Sequence, residues 1–470
     1  MSTHVDLAVV GGGISGLAAA WEGERRGASV AVLEAADRPG GKLQTSSLAG
    51  VPLDEAADAF LARVPAAVEL CDELGIATEL VAPASVGAYV WLDGRLRKLP
   101  PDQVLGVPTD LDAVAAAGLL SPAGVERARE DLTRPDDRPR GPDGEPVDES
   151  VGDLVRRRLG DEVLDRLVGP LVGSVYAGDC DRLSLQVVAA QLAAARDLDP
   201  AEPSLIRSVI ALRDQAPVGE RPLFLAPREG MGALVGALVD ALGDAVRTGT
   251  AVEALVPEGT RWRLAPTDVT AGAVVLATPA FATAPLLAPL GGGAAEAAAA
   301  IGEIDHASVA LVSLAVPRDG VEHELDGTGF LVPRSAGLLL TACSWVTTKW
   351  PHLDHDPSLV LLRASVGRDG DERALGLTDD ELVARVLDDL GTTMGLRAAP
   401  VEVRVSRWPR SFPQPRPGHR DRVAAAEAAL ARSAPRIVTA GAWTHGVGVP
   451  TCIRTARAAT ARALGATTGA

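Results

Sequence analysis

The sequence predicts an α/β fold: a nucleotide-binding domain interrupted twice, a mixed α+β domain and an inserted helical domain. Three observations predict it. A strand, a glycine turn, a helix and a second strand follow one another through residues 5–33; helical apolar spacing runs through the middle of the chain; and a β-rich stretch ends in a strand, a glycine loop and a closing helix. With 470 residues, the chain exceeds what one hydrophobic core usually organises, so two or three domains are expected.

Val5–Val10 is an apolar, β-rich run, Gly11–Gly16 a turn, Leu17–Arg26 an Ala-rich helix closed by Gly27, and Ala28–Leu33 a second strand ending at Glu34. Between Leu111 and Leu223 the spacing is helical, most clearly in Val151–Leu167 and Leu183–Ala195, and the Pro/Gly/charge-rich segment Arg134–Pro146 reads as an exposed loop. Met231–Leu242 reads as a helix, followed by strand-like Val246–Val256, Trp262–Leu264 and Ala273–Thr278. From His306 to Val405, segments such as Ser308–Val316, Leu338–Cys343 and Leu359–Val366 predict an antiparallel sheet. Arg436–Ala440 then reads as a strand, Gly441–Val449 as a glycine-bearing loop and Pro450–Leu464 as a last helix with proline in its first turn. Gly291–Gly293 reads as a loop into a helix, and there is no internal repeat.

A net charge of −17 argues against a nucleic-acid partner, because neutralising phosphates needs a basic face. Cys71, Cys180, Cys343 and Cys452 lack metal or C-x-x-C spacing and read as buried thiols of a reducing compartment, so no metal site is expected. The heavy use of alanine carries no functional signal. The first residues show no secretory pattern, and the uncharged stretch Val269–Ala295 is broken by Pro279, Pro285, Pro289 and Gly291–Gly293. The expected location is the cytoplasm, with peripheral contact at a membrane left open.

Gly11, Gly13 and Gly16 form G-x-G-x-x-G directly after a strand, where the turn must tighten, a pyrophosphate must approach backbone N–H groups and helix must pack on strand. Glycines alone say little; the preceding strand and Glu34, placed where a carboxylate accepts hydrogen bonds from an adenosine ribose, give them meaning and disfavour NADP. Arg38-Pro39-Gly40-Gly41-Lys42 adds a second glycine pair with a cation, which tips the choice between NAD and FAD to FAD. Gly446-Val447-Gly448-Val449-Pro450 precedes the last helix, whose positive end could stabilise electron density on a reduced flavin.

Val9–Gly16 with Glu34–Lys42 resembles the amine-oxidase-like flavoprotein superfamily, which includes phytoene desaturases and protoporphyrinogen oxidases. Four further segments resemble its porphyrinogen-oxidase branch, in particular the coproporphyrinogen III oxidases of Gram-positive bacteria: Ser174–Asp179 with Leu183-Ser184, Trp345–His352 with its Lys-Trp-Pro-His core, Arg407-Trp408 through Gly418-His419, and Gly446–Arg457. The resemblance implies FAD contacts at Gly11, Gly12, Gly13, Ile14, Ser15, Gly16, Glu34, Ala35, Gly41, Lys42, Ala56, Ala57, Asp58, Ala59, Val252, Trp408, Val447, Gly448 and Val449, with Val252 acting through its backbone. It departs from the family at Ser365, where relatives often carry an aromatic residue, and at Gln414-Pro415, where a Gln-Tyr pair is common. The expected architecture is a Rossmann-like FAD-binding domain in three parts (residues 1–79, 224–282 and 432–470), substrate-binding parts at 80–110 and 283–431, and a helical domain at 111–223.

The resemblance implies dehydrogenation of a porphyrinogen in haem biosynthesis, with molecular oxygen as acceptor and hydrogen peroxide as by-product, and makes the next enzyme of that pathway a candidate partner. Propionates of such a substrate need cations, for which Arg95, Arg97, Lys98, Lys349 and Arg407 are candidates, with Lys349 preferred because Trp345 and Trp350 flank it. Tyr176 and Trp408 could frame the macrocycle or the flavin. No Ser/His/Asp set or carboxylate pair emerges, and no catalytic residue is assigned; His445 is left out because a structural role accounts for it equally. Coproporphyrinogen III is the expected substrate. Protoporphyrinogen IX and a non-catalytic flavin-binding partner of the haem pathway remain alternatives, and an amine oxidase is disfavoured by a chain with only two tyrosines to build an aromatic cage.

Overall fold

Alternation along one strand explains the first half of the architecture. In the computed structural model, which describes residues 3–84, 86–199, 201–215 and 222–465, the strand Thr3–Val10 lies centrally in a seven-stranded sheet. It pairs in parallel with Val30–Leu33 on one side and Val269–Leu276 on the other, and Val246–Arg247 extends the first edge. Val269–Leu276 carries two further strands along its other side: Ile437–Thr439 in parallel at one end, and antiparallel Arg261–Ala265 at the other, itself paired with Ala254–Glu258.

Successive side chains point to opposite faces, so both faces of this sheet must be covered. Leu7, Val9, Val32 and Val275 pack against the helices Ile14–Arg25, Gly232–Leu242 and Val449–Ala463. Ala8, Val10, Leu33 and Leu276 pack against Ala280–Leu287, Gly292–Gly302 and His419–Ser433. The alanine runs thus have a structural use, because small side chains let these helices lie close to one another. The stretch Val269–Ala295 is a strand followed by a helix that contains Pro285, and among the described residues no helix is long and apolar enough to cross a membrane.

A second seven-stranded sheet has the order Glu402–Pro413, His306–Pro317, Leu359–Val366, Leu340–Trp345, Gly329–Leu331, Tyr89–Leu92 and Arg95–Lys98. All neighbours are antiparallel except Gly329–Leu331 with Tyr89–Leu92. Residues 89–98 thus join a sheet whose other strands lie more than 200 residues later. The helix Asp379–Met394, opened by a capping box of Thr378 and Glu381, lays Leu382, Val386 and Leu390 against this sheet. The sequence reading did not mark that helix.

The described residues between 111 and 215 are mostly helical, as the apolar spacing predicts, and contain a π-helical turn at Leu164–Val168 that leads into Gly169–Tyr176; residues 216–221 of the expected helical stretch lie outside the described residues. Its interior holds a salt bridge between Arg158 and Asp131, both fully buried, and Asp131 also accepts from Ser204 Oγ and the Leu205 and Ile206 N–H groups. Residues 142–146 of the expected exposed loop do face solvent. Earlier in that loop, Asp136 and Asp137 pair with Arg196 and Arg157, so this half is tied to the helices rather than free. All four cysteines are buried free thiols.

Candidate active site

The glycine turn stands at the carboxyl ends of two parallel strands, the position where open α/β sheets bind nucleotides. Gly16 must be glycine: a Cβ there would lie 1.8 Å from the Gly11 carbonyl oxygen. Gly13 is different, for a Cβ would meet no protein atom within 4 Å and would project into open space. Gly13 caps the helix Ile14–Arg25 with no side-chain hydrogen bond, and no acidic residue occupies the first turn, so its leading N–H groups and positive dipole end are available to an anion. The segment holding Gly41 and Lys42 is fixed against this turn by a hydrogen bond from Gly40 N to Gly12 O of 2.8 Å.

Glu34 does more than face a ribose. Its carboxylate accepts from Gly12 N at 2.6 Å and Ala36 N at 2.8 Å, so it shapes the turn itself. Ala35 is exposed beside it. Gly249 N and Thr250 N donate to the carbonyls of Ala36 and Glu34, which brings the irregular backbone at Val252 toward this corner. Lys42 is half-buried and has no hydrogen bond or ion pair among the described residues; burial pulls its ammonium below the ordinary lysine range. An anion beside it would reverse that cost.

The remaining expected contacts lie on three other segments. Ala56–Ala59 is an irregular, half-buried run. Trp408 donates from Nε1 to Glu55 O at 2.8 Å and packs with Ala177, Ala307 and Val309, joining the second sheet to the nucleotide-binding part. Val447 and Gly448 lead into the helix Val449–Ala463, which starts with Pro450, has no side-chain cap and no acid in its first turn. Cys452 of this helix is buried near Ser15 and Lys42, and burial pushes its thiol up, so it is a neutral packing group. The glycine turn's space, the unpartnered Lys42 and the two uncapped helix starts fit FAD, with anionic groups on the first helix start and electron-rich flavin near the last.

Tyr176 is half-buried, donates no hydroxyl hydrogen bond among the described residues, and has its pKa pushed up to about 12 by burial; at neutral pH it is a donor and not a base. Four of the five expected cations have partners within the protein, and Arg95 is exposed. Lys349 pairs with Asp58 at 2.7 Å, where Arg363 (2.9 Å) and Trp350 Nε1 (3.4 Å) also converge. Lys349, expected to meet a substrate carboxylate, thus has Asp58 as its ion-pair partner within the protein. Arg97 packs toward the helical region, facing Asp93 at 3.7 Å and Ala117 O at 3.4 Å, and Lys98 and Arg407 pair with Asp326 and Asp379. His445 is exposed and sits 3.8 Å from Glu427.

Two buried groups escaped the sequence reading, because single residues at strand ends leave no pattern. His306 donates from Nδ1 to Ile304 O (3.0 Å), and burial, with Lys42 and Arg410 nearby, pulls it down to about 4, so it is neutral. Asp54 accepts from Thr45 Oγ1 (2.5 Å) and Met231 N (2.8 Å), and burial first, then Asp58, pushes its carboxyl up to about 6. An acid raised in the folded state stabilises fully below its unfolded pKa and loses that contribution as pH rises through the folded value. Asp54→Asn is therefore expected to match the wild type near pH 4 and to exceed it by about 2–3 kcal/mol at pH 8 in urea unfolding. Equal stability gaps at both pH values would show that Asp54 is not a shifted acid.

The flavin-containing amine oxidoreductase family matches residues 14–464. A protein of Bacillus subtilis (strain 168) named coproporphyrinogen III oxidase is 32% identical, over 97% of each chain. One of the same name from Mycobacterium tuberculosis H37Rv is 37% identical, over 95% of this chain and 94% of its own. A crystal structure from Exiguobacterium sp. 255-15, described provisionally as a protoporphyrinogen oxidase, superposes with a TM-score of 0.83 at 30% identity over 98% of both chains. These likenesses run through the glycine turn, both sheets and the closing helix, and the chain belongs to the flavin-containing amine oxidoreductase family.

Proposed function

We propose that the chain oxidises coproporphyrinogen III to coproporphyrin III, using FAD and passing the electrons to molecular oxygen with release of hydrogen peroxide. End-to-end likeness to proteins named coproporphyrinogen III oxidase carries this reading. The open approach at Gly13, followed by the uncapped start of the helix Ile14–Arg25, supports the use of FAD. A porphyrinogen becomes a porphyrin by losing hydrogen from its saturated meso bridges and pyrrole nitrogens. Bound FAD supplies the two-electron acceptor for that loss.

The chain's own residues place and insulate. The N–H groups that begin the helices at Ile14 and Val449, with Lys42, hold negative charge. Tyr176 presents a protonated hydroxyl and an apolar ring, and neutral His306 adds no charge next to Lys42.

The test supplies freshly reduced coproporphyrinogen III and protoporphyrinogen IX to the flavin-loaded protein in aerated buffer and follows porphyrin fluorescence and peroxide. Coproporphyrin should form faster per enzyme, with peroxide in step. Faster oxidation of protoporphyrinogen IX would move the assignment to that substrate, and oxidation of neither would leave only the family.

A further inference from the structure

A cavity of about 180 Å³ lies between the helix Gly169–Tyr176 and the second sheet, with Arg368 and Arg334 among the residues that line it. That is below the roughly 300–1,000 Å³ of sites that hold a whole drug-sized ligand and suits a single carboxylate arm. Arg368 is 8% exposed, yet its guanidinium donates no hydrogen bond among the described residues; Nε is buried without a partner, and the nearest carboxylate, Asp371, is 3.8 Å away and already chelated by Arg373. Burial and the neighbouring Arg334 pull the Arg368 pKa down to about 10. Two like charges in a cleft, one of them buried with unmet donors, form an anion site whose planar forks suit a carboxylate.

The position ties this cavity to the flavin space. Arg334 Nη2 donates to Gly178 O (3.1 Å) and Asp369 O (2.8 Å), and Asp369 N donates to Ala177 O (2.7 Å). Ala177, between Tyr176 and Gly178, packs on Trp408. One short segment therefore has the two arginines on one side and the expected flavin neighbour on the other. Around the cleft, Asp161 and Asp181 are neutralised by Arg156, Asp165 accepts from Ser335, and Asp179 accepts from Asp181 N; among the described residues, Asp165 and Asp179 have no cation within ion-pair distance.

We propose that Arg368, assisted by Arg334, is a carboxylate subsite that takes a propionate arm of the tetrapyrrole; this rests on the substrate reading above. The other source of the same chemistry is a small free carboxylate. The experiment titrates coproporphyrin III into the FAD-loaded wild type, Arg368→Gln, Arg368→Lys and Arg334→Gln by fluorescence. It repeats the titration with the tetramethyl ester and, separately, with succinate. Arg368→Gln should weaken coproporphyrin III at least about tenfold, Arg368→Lys less, and ester binding should be weak and unchanged. Unchanged affinity in a folded Arg368→Gln protein overturns the subsite. If that variant does not fold, unchanged affinity in the rim variant Arg334→Gln, or equal binding of ester and free acid by the wild type, overturns it instead. Saturable succinate binding lost in Arg368→Gln, with coproporphyrin affinity intact, would assign the cavity to a free carboxylate and also overturn the proposal. Wild-type protein that oxidises no coproporphyrinogen III would instead remove the substrate reading on which it stands.

Discussion

Gly13→Val is expected to give a folded protein that retains no flavin. The residue has extended backbone angles (φ −72°, ψ 177°) that valine adopts readily, and the space beyond its Cα is free of protein atoms. The added side chain therefore costs the apoprotein little and fills the place where a diphosphate would approach the N–H groups of the following helix. Gly16→Ala makes the contrast, since its Cβ would overlap the Gly11 carbonyl and the turn itself must move. Purified wild type should be yellow and release FAD into the supernatant on acid precipitation. Gly13→Val should be colourless with a melting temperature close to that of flavin-free wild type, and Gly16→Ala should lose both flavin and several degrees of stability. Normal flavin occupancy in Gly13→Val would place the cofactor somewhere other than on this turn.

That contrast also marks what the sequence could show. Strand, turn and helix at residues 3–25 were legible because the signals are local: period-two burial, glycines at fixed offsets, and an alanine-rich helix. The role of Gly16 in packing and of Gly13 in ligand approach follows from that motif. The hold of Glu34 on Gly12 N and Ala36 N does not, because spacing puts a carboxylate near a ribose without saying which donors it meets first. The helix Asp379–Met394 had a readable start, Thr378 and Glu381 three residues apart before Leu382, Val386 and Leu390, and was passed over among strands. Joining residues 89–98 to a sheet formed from residues 306–413 is a matter of long-range pairing, for which no local pattern exists. The partner of Lys349 was hidden for the same reason: two nearby tryptophans are a local signal, while Asp58 lies 291 residues earlier in the chain.

That partnership sets the other large effect. Asp58 holds Lys349 and Arg363 together, with side chains 17%, 21% and 8% exposed. Burial opposes its ionisation, but Arg363 and Lys349 outweigh burial and hold the carboxyl well below the usual range. Asp58→Asn leaves two cations facing each other with no counter-charge, a change that costs about 3–5 kcal/mol when the site is dry. Lys349 is exposed enough to rehydrate, so a loss near 3 kcal/mol is expected in urea unfolding of the flavin-free protein at pH 7. Lys349→Met added to Asp58→Asn should recover part of that loss, since it removes one of the stranded charges. The pH dependence runs opposite to that of Asp54. A carboxyl depressed in the folded state contributes fully above its unfolded value near 3.8 and loses that contribution as pH falls through the still lower folded value. The gap between wild type and Asp58→Asn should accordingly stay level from pH 7 to 5 and close only below about pH 4. A gap that closes between pH 6 and 5, or a double variant no more stable than Asp58→Asn, would mean that the charges at this junction are not coupled and that Lys349 is free for another role.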